Sequence, residues 1–153
     1  MNRLIITFVV LLFSVVVYAQ TNSYNLIVES ESKYDFAQTV DTLTKVAEAN
    51  KWKVVVVHDL QSSLKKNGKE VLPVKILEIC NPNYSYNVLS KDDFKSFSSM
   101  MPCRISVYEK NDGKTYVSRI NPAFMSEMLK DKQCKSMNNA LKDIEEFISV
   151  ITK

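Results

Sequence analysis

The chain has 153 residues, of which 46% are hydrophobic and 24% charged, and its formal net charge is +3. This length and composition suit one globular domain with a real core. The nearly neutral charge gives no electrostatic reason to expect nucleic acid as a partner, and the two glycines of the chain are too few for a Gly-rich phosphate loop.

Residues 1–20 have the layout of a secretory signal peptide. Arg3 precedes an apolar stretch that runs to Val17, and small residues at Val17 and Ala19 predict cleavage near Ala19 or Gln20. The alternative is a retained membrane anchor, which needs about 20 apolar residues. Cleavage removes one basic and no acidic residue, so the remaining domain, residues 24–153, carries +2. We expect this domain in the periplasm or outside the cell, without membrane attachment.

The first part of the domain predicts a strand, a helix and a second strand. Tyr24 to Val28 alternate as a strand, and Asp35 is a typical N-cap with Gln38 three positions later. An apolar stripe at helical spacing follows: Phe36, Val40, Leu43 and Ala47. Asn50 is a candidate left-handed terminator. The β-branched segment that follows predicts a strand with one face formed by Trp52, Val54, Val56 and His58.

The second part predicts three more strands and a closing helix. Asn67-Gly68 indicates a turn, and Asn111-Asp112-Gly113 indicates a tight hairpin. The predicted strands are Val74 to Cys80, Cys103 to Glu109 and Thr115 to Ile120. The closing helix directs an apolar stripe inward: Met137, Leu141, Ile144, Ile148 and Ile151.

The element order is therefore β-α-β-β-β-β-α, which predicts an α+β fold with two helices packed on one face of an antiparallel sheet. Between Asn81 and Pro102 we expect a short helix or an ordered loop. Its side chains are a candidate surface for an apolar ligand or a protein partner, or else they fill the core locally. The candidate residues are Tyr84, Tyr86, Phe94, Phe97 and Met100.

Cys80 and Cys103 lie at facing edges of the third and fourth predicted strands. An antiparallel register that places them opposite each other also places Glu78 opposite Ile105. Directly opposed residues have Cα atoms about 4.5–5.5 Å apart, close to the separation that a disulfide requires. In an oxidising compartment the bond would form, close a loop of about 22 residues and contribute roughly 3 kcal/mol.

The alternative is a metal site for Cu or Zn that uses Cys80 and Cys103 together with His58 or Met101. Along the predicted pairing His58 lies about 20 Å from Cys80, at ~3.3 Å per residue. A contact between subunits would be needed to complete this set, and otherwise His58 is a hydrogen-bonding residue at a strand end.

Two further uses of the thiols stay open. Thiol–disulfide exchange normally relies on a CxxC pair at a helix N-terminus, which Cys80 and Cys103 do not form. Cys134 is flanked by Lys132 and Lys135, whose charges would leave it as a reactive free thiol. It is otherwise a partly buried residue at a helix entrance, or a bonding partner for Cys80 or Cys103.

Catalytic constellations are poorly represented. His58 is the single histidine, and the chain has no G-x-S-x-G elbow. Arg104 and Arg119 fit cross-strand ion pairs better than an anion site. We therefore expect a domain without enzyme activity.

Three segments of the chain resemble family 302 of the domains of unknown function. They run from Trp52 to Leu60 (WKVVVVHDL), from Ile76 to Pro82 (ILEICNP) and from Met101 to Glu109 (MPCRISVYE), and the resemblance covers about residues 35–120. It implies an α+β fold similar to the TATA-binding-protein class and a homodimer, with neither DNA binding nor an established enzyme activity. Members with cysteine at both motifs support a joint role for Cys80 and Cys103.

The function expected from the sequence is a small, secreted, non-enzymatic binding or interaction domain without a cofactor, stapled by a Cys80–Cys103 disulfide. The alternative is a periplasmic metal-binding or thiol-redox protein in which Cys80 and Cys103 act with His58 or Met101.

Overall fold

The structure, a computed structural model, describes residues 25–129 and 135–153. The predicted signal peptide and Cys134 lie outside this part of the chain. Five strands form one antiparallel sheet in the order β1-β5-β4-β3-β2. The strands are β1 (Ile27–Glu31), β2 (Lys53–Asp59), β3 (Val74–Cys80), β4 (Cys103–Glu109) and β5 (Thr115–Ile120).

Within residues 25–129 and 135–153, five α-helices and one 3₁₀ helix connect and cover these strands. They are α1 (Phe36–Ala49), α2 (Leu60–Lys65), α3 (Pro82–Leu89), the 3₁₀ helix (Asp92–Met100), α4 (Pro122–Met128) and α5 (Lys135–Ile151). Within the described residues, no helix is both long and apolar enough to cross a membrane.

The two long helices, α1 and α5, pack on the same face of the sheet, and this confirms the predicted α+β architecture. The core between them holds apolar residues from both layers. Its fully buried members include Leu43, Leu77, Ile79, Ile105, Val117, Phe147 and Ile151. Apolar burial of this kind is the main favourable contribution to folding.

The ends of α1 show one correct and one wrong detail of the prediction. Asp35 is the N-cap, because its carboxylate accepts a hydrogen bond of 2.8 Å from the backbone N–H of Gln38. Asn50 is not the left-handed terminator, since its φ is −95°. That conformation belongs to the next residue, Lys51, with φ of 64°. Asn50 instead donates its side-chain amide to the carbonyl oxygen of Val46 at 2.8 Å.

The first two strands differ from their predicted form. β1 begins three residues later than expected, because its pairing with β5 starts at Ile27 opposite Ile120. β2 does not keep one uniform face, because an irregularity in its pairing with β3 falls between Val54 and Val56. Val54 therefore lies on the helix-covered face, whereas Val56 pairs with Glu78 on the open face. A bulge switches the alternation that the sequence pattern assumed.

The connection from β2 to β3 contains a helix where a simple turn was predicted. Asp59 caps α2 by accepting a hydrogen bond from the backbone N–H of Ser62 at 2.8 Å. Gly68, with φ of 69°, follows the end of this helix, and its N–H bonds to the carbonyl of Lys65 at 3.0 Å. The Asn67-Gly68 pair therefore terminates a helix instead of joining two strands directly.

The segment between β3 and β4 is helical, which is the first of the two predicted alternatives, a short helix or an ordered loop. Asn81 caps α3, Pro82 occupies its first turn, and the 3₁₀ helix continues to Met100. The peptide bond between Met101 and Pro102 is cis. Helix α4 after β5 was not predicted; it is short and again has an Asn cap followed by proline, at Asn121 and Pro122.

The predicted register of β3 and β4 is wrong by one residue. Cys103 pairs with Ile79 and not with Cys80, and Glu78 pairs with Arg104 and not with Ile105. Because side chains alternate between faces, this shift places Cys103 with Ile79 on the helix-covered face and Glu78 on the open face. The pattern of buried residues decides the register, since it keeps Leu77, Ile79 and Ile105 together in the core.

Candidate functional site

A partly enclosed cavity of about 310 Å³ lies at one end of the sheet, where β3 ends and β4 begins. Its floor is the sheet, and its walls come from α3, the end of the 3₁₀ helix, α4 and the first half of α5. The apolar lining residues include Trp52, Ile79, Val88, Pro102, Ile120, Ala140, Leu141 and Ile144. The four helical segments and the sheet edge leave this space between them.

The aromatic wall of the cavity is held by Trp52, which is the single tryptophan of the chain and is 3% exposed. Its ring meets Tyr84 and Phe147 edge to face, with centroid distances of 5.9 and 5.8 Å. Its indole N–H donates to a carboxylate oxygen of Asp143 at 3.0 Å. Burial, followed by the charge of Asp143, raises the pKa of Tyr84. This network fixes the position of the indole.

Both described cysteines line the cavity and are free thiols. The sulfur of Cys80 lies 2.9 Å from the hydroxyl oxygen of Ser85, which in turn donates to the carbonyl of Asn81 at 3.0 Å. Burial, and second the charge of Cys80, raises the pKa of Cys103 from 9.0 to about 11. Cys103 is therefore a neutral thiol near pH 7, and the two sulfurs are close enough to influence each other electrostatically.

Methionines supply the rest of the sulfur in the wall. Met100 and Met101 approach from the end of the 3₁₀ helix, Met125 from α4 and Met137 from α5. Six of the nine cysteine and methionine residues of the chain thus surround one cavity. Methionine fills irregular space well because its side chain is flexible and polarisable.

The charged groups near the cavity are already paired. Arg119, 8% exposed, donates two hydrogen bonds to the carboxylate of Glu145 on α5, one of them 2.7 Å long, and one of 2.8 Å to the hydroxyl of Ser30. Arg104 donates to Glu78 on the neighbouring strand at 3.0 Å. The predicted cross-strand ion pair is confirmed for Arg104, whereas Arg119 pairs with a helix.

His58 lies on the open face of the sheet. It pairs with Ile76 on the open face, and its Nε2 is 3.2 Å from a carboxylate oxygen of Glu78. His58 does not line the cavity. Across the described residues, no group of three or more His, Cys, Asp or Glu side chains is placed to hold a metal ion. The set of His58, Cys80 and Cys103 is therefore not assembled within one chain.

The candidate surface predicted between β3 and β4 divides into separate parts. Tyr84 and Met100 line the cavity. Phe94 and Phe97 pack against each other, with ring centroids 6.3 Å apart, and do not line it. Tyr86 is 72% exposed.

Several lining residues were not identified as site residues from the sequence. Trp52 was assigned to one face of a strand and Met137 to the inward stripe of a helix, and Met125 lies on the unpredicted helix α4. The inward stripe of the last helix was the available signal for Met137. Its first turns cover the cavity, and its later turns cover the core.

The composition of the cavity lining limits the chemistry that its side chains offer. In the part of the chain that the structure describes, its lining contains no histidine, aspartate or glutamate that could move a proton. Apolar and aromatic surface dominates, with thiols, thioethers and a few hydroxyl and amide groups between. Small-molecule sites typically have this character and volumes of about 300–1,000 Å³.

Fold and site together define an α+β domain that has one antiparallel sheet, one helical layer and an apolar cavity at a sheet end. The model of the family described as "Domain of unknown function DUF302" matches residues 28–151, and the chain belongs to that family. This confirms the family resemblance found in the sequence motifs. No curated protein matches the chain.

A solved structure supports the fold. The crystal structure of an uncharacterized conserved DUF302 protein from Bacillus stearothermophilus is similar to this chain with a TM-score of 0.71. The two sequences are 20% identical, and the match covers 82% of this chain and 98% of the other.

Proposed function

We propose that this chain is an exported, non-enzymatic binding domain that holds a small apolar ligand in the cavity at the end of β3 and β4. The observation that carries the proposal is the cavity itself, which is built from Trp52, Tyr84 and aliphatic side chains while the nearby arginines are paired with carboxylates. An arginine whose charge is already compensated by a carboxylate does not require an anionic group on the ligand.

The size of the cavity limits the ligand. About 310 Å³ is near the lower end for small-molecule sites, so a ligand of one or two rings or a short chain is expected. Its few polar groups would meet the hydroxyls of Ser85 and Ser99 or the amide of Asn81, which all belong to the lining. A neutral, mainly apolar molecule fits this distribution best.

The absence of enzyme activity in the proposal rests on the state of the groups in the wall. A general acid or base must exchange protons near the working pH, and Cys103, with a pKa of about 11, stays protonated there. The pKa of Tyr84 is also raised, mainly by burial. Both groups therefore resist ionisation, which favours binding over proton transfer.

The test uses the single tryptophan as a built-in reporter of occupancy. The mature protein is titrated with N-phenyl-1-naphthylamine, a neutral apolar dye, while the emission of Trp52 and of the dye is followed. Because Trp52 lines the cavity, saturable binding should quench the tryptophan and brighten the dye together. The variant Ala140→Leu adds bulk to the cavity wall and should abolish both changes.

Ala37→Leu is the matched control, because Ala37 is exposed on α1 and the substitution adds the same side chain away from the cavity. It should bind the dye as the unaltered protein does. Unchanged binding by a folded Ala140→Leu variant would show that the dye sits elsewhere, and no saturable binding by the unaltered protein would contradict the proposed ligand class.

Export is supported by the sequence of residues 1–20, with a basic start, an apolar stretch and small residues near Ala19. We expect the protein in the periplasmic or extracellular fraction, with a mature N-terminus near Gln20. N-terminal sequencing of the secreted product checks this; an intact N-terminus in the membrane fraction would favour an anchor instead.

The Cys80–Cys103 disulfide stays a prediction, although the register argument for it no longer holds. Both residues line one cavity, and thiol counting on the exported protein decides between one and three free thiols. The homodimer also stays a prediction. Strand β2 supports it, because it forms an edge of the sheet and Val55 is 59% exposed there; sedimentation equilibrium measures the association.

A further inference from the structure

The sulfur content of the cavity wall is larger than apolar filling requires. Four methionines and two cysteines line a space that leucine or isoleucine would fill equally well. These side chains come from the end of β3, the start of β4, the end of the 3₁₀ helix, α4 and α5. Elements far apart in the chain thus contribute sulfur-containing side chains to the lining of one cavity.

We propose that this wall is a binding site for Cu(I), with Cys80 as its thiolate ligand and with the Cys103 sulfur and the thioethers of Met100 and Met101 as further donors. This inference rests on the proposal that the cavity is the ligand site of the protein, and it names a second class of ligand for that site.

The kind of donor selects the ion. Thiolate and thioether sulfur prefer soft monovalent copper, whereas zinc sites use four ligands drawn from cysteine, histidine and carboxylates. Among the residues of the cavity lining that the structure describes, histidine and carboxylates are missing, and His58 is held by Glu78 on the open face. Zinc would therefore have the two cysteines and no other preferred ligand.

The apolar surroundings limit the net charge that Cu(I) and its ligands can carry in the cavity. One thiolate neutralises one Cu(I), and a second thiolate would leave an uncompensated negative charge in an apolar cavity. Binding should therefore release one proton per copper ion, from Cys80 to solvent, while copper keeps its oxidation state.

Ser85 is placed to support the thiolate as a positioning residue. Its hydroxyl lies 2.9 Å from the sulfur of Cys80 and 3.0 Å from the carbonyl of Asn81. A neutral Cys80 can donate to that hydroxyl while Ser85 donates to Asn81. After Cys80 loses its proton, Ser85 can turn its own O–H toward the sulfur and stabilise the charge.

The experiment offers Cu(I), bound to the coloured chelator bathocuproine disulfonate, to the mature protein after reduction without oxygen. We expect the protein to remove one Cu(I) per chain from the chelator and to release one proton. Cys80→Ser should abolish this transfer. Ser85→Ala should weaken Cu(I) binding by about tenfold, the size seen when a supporting hydrogen bond to a ligand is lost, and should raise the pH at which binding begins.

Methionine variants separate metal binding from packing. The double variant Met100→Leu/Met101→Leu keeps side-chain volume and should fold, yet it should hold Cu(I) less tightly than the unaltered protein. Met128→Leu is the matched control, because Met128 lies on α4, is 45% exposed and does not line the cavity. Circular dichroism verifies that each variant is folded.

The outcomes distinguish this inference from the proposed function. Dye binding without Cu(I) uptake overturns the copper site and leaves the apolar ligand site standing. Cu(I) uptake without dye binding supports the copper site and removes the apolar ligand. Uptake that survives in Cys80→Ser, equal affinity for Zn²⁺, or a Cys80–Cys103 bond that resists reduction would each overturn the copper site.

Discussion

The side chains at the two ends of the sheet differ in chemical character. At one end, where β3 finishes at Cys80 and β4 starts at Cys103, apolar and sulfur-containing side chains enclose the cavity. At the other end, around the turn between β4 and β5, charged and tyrosine side chains lie on the surface. The same five strands therefore present a buried environment at one end and a solvated one at the other.

The solvated end contains two groups of opposite charges. Glu29 accepts hydrogen bonds from Tyr108 and Lys110, and the Lys110 ammonium lies 3.9 Å from the ring centre of Tyr116. Beside them, Glu31 accepts from Lys114 at 3.0 Å and also from Lys153. These pairs connect β1 with the β4–β5 hairpin and with the C-terminus.

From this comparison we expect the environment of an ion pair to set its contribution to stability. Removing one partner of a buried ion pair leaves a charge without solvent, which is costly. Removing one partner of an exposed pair leaves a charge that water accommodates. Equivalent substitutions at the two ends should therefore differ several-fold in their effect on stability.

The largest effect is expected at the cavity end, from Glu145→Ala. This change leaves Arg119 8% exposed with a hydrogen bond to Ser30 and no carboxylate. We expect the free energy of unfolding to fall by about 2 kcal/mol, between the values for exposed and buried pairs because Glu145 is itself 36% exposed, as measured by urea denaturation.

Glu146→Ala is the matched control, because it removes the neighbouring carboxylate of the same helix at an exposed position. It should change stability by less than about 0.5 kcal/mol. The double variant Arg119→Met/Glu145→Ala removes the stranded charge and should recover part of the loss. A small effect of Glu145→Ala, with no recovery in the double variant, would mean that the guanidinium is well solvated.

The second prediction concerns the reactivity of the thiol at the cavity end. The pKa of Cys103 is raised from 9.0 to about 11, mainly by burial, so its thiolate fraction near pH 8 is about 100-fold lower than that of an ordinary thiol. In a Cys80→Ser/Cys134→Ser variant, alkylation by iodoacetamide at pH 8 should be about 100-fold slower than in the same variant unfolded by urea. Mass spectrometry follows the reaction.

The reciprocal variant, Cys103→Ser/Cys134→Ser, leaves Cys80 as the single thiol and serves as the internal comparison. Burial is the main cause of the raised pKa of Cys103. Replacing Cys80 in the first variant should therefore leave most of the protection of Cys103 against alkylation in place. Equal alkylation rates for folded and unfolded chains would place the Cys103 sulfur in solvent and contradict the buried wall.

Local sequence signals were sufficient for most of the fold. The strands from Val74 to Cys80, Cys103 to Glu109 and Thr115 to Ile120 were predicted with their observed bounds, and Asp35 was correctly identified as a cap. β-branched runs and N-cap chemistry act over a few residues, so their consequences can be read locally. The family motifs fall on β2, β3 and β4.

The register between strands and the face of the sheet on which each side chain lies were harder to predict from the sequence, because they depend on contacts between distant segments. One additional residue in β2, near Val55, moves Val56 to the opposite face, and a one-residue change in register separates Cys103 from Glu78. The cavity depends on both, together with helix α4. Its thiols were identified from their motifs, whereas Met125 entered the site through tertiary packing alone.

The smallest effect is expected at the solvated end, from Lys110→Met. This change keeps the apolar stem over Tyr116 and removes the charge that contacts Glu29. We expect a loss of about 0.5–1 kcal/mol at low ionic strength, as for exposed pairs, and a smaller difference in about 1 M NaCl, where the charges are screened. Lys69→Met, an exposed position in the loop after α2, is the matched control.

The pH dependence of the stability difference between the Lys110→Met variant and the unaltered protein shows whether the charge of Lys110 causes it. The hydrogen bond from Lys110, and second that from Tyr108, lowers the pKa of Glu29 below 4.5. The folded protein therefore binds fewer protons at Glu29 than the unfolded chain does, so the stabilisation is present above about pH 4.5 and is lost as the pH falls through the lowered pKa. Unfolding by urea at successive pH values should show the Lys110→Met variant and the unaltered protein converging toward acid. A difference that stays constant down to pH 3, or that survives high salt, would assign the effect of Lys110 to its packing on Tyr116 and not to its charge.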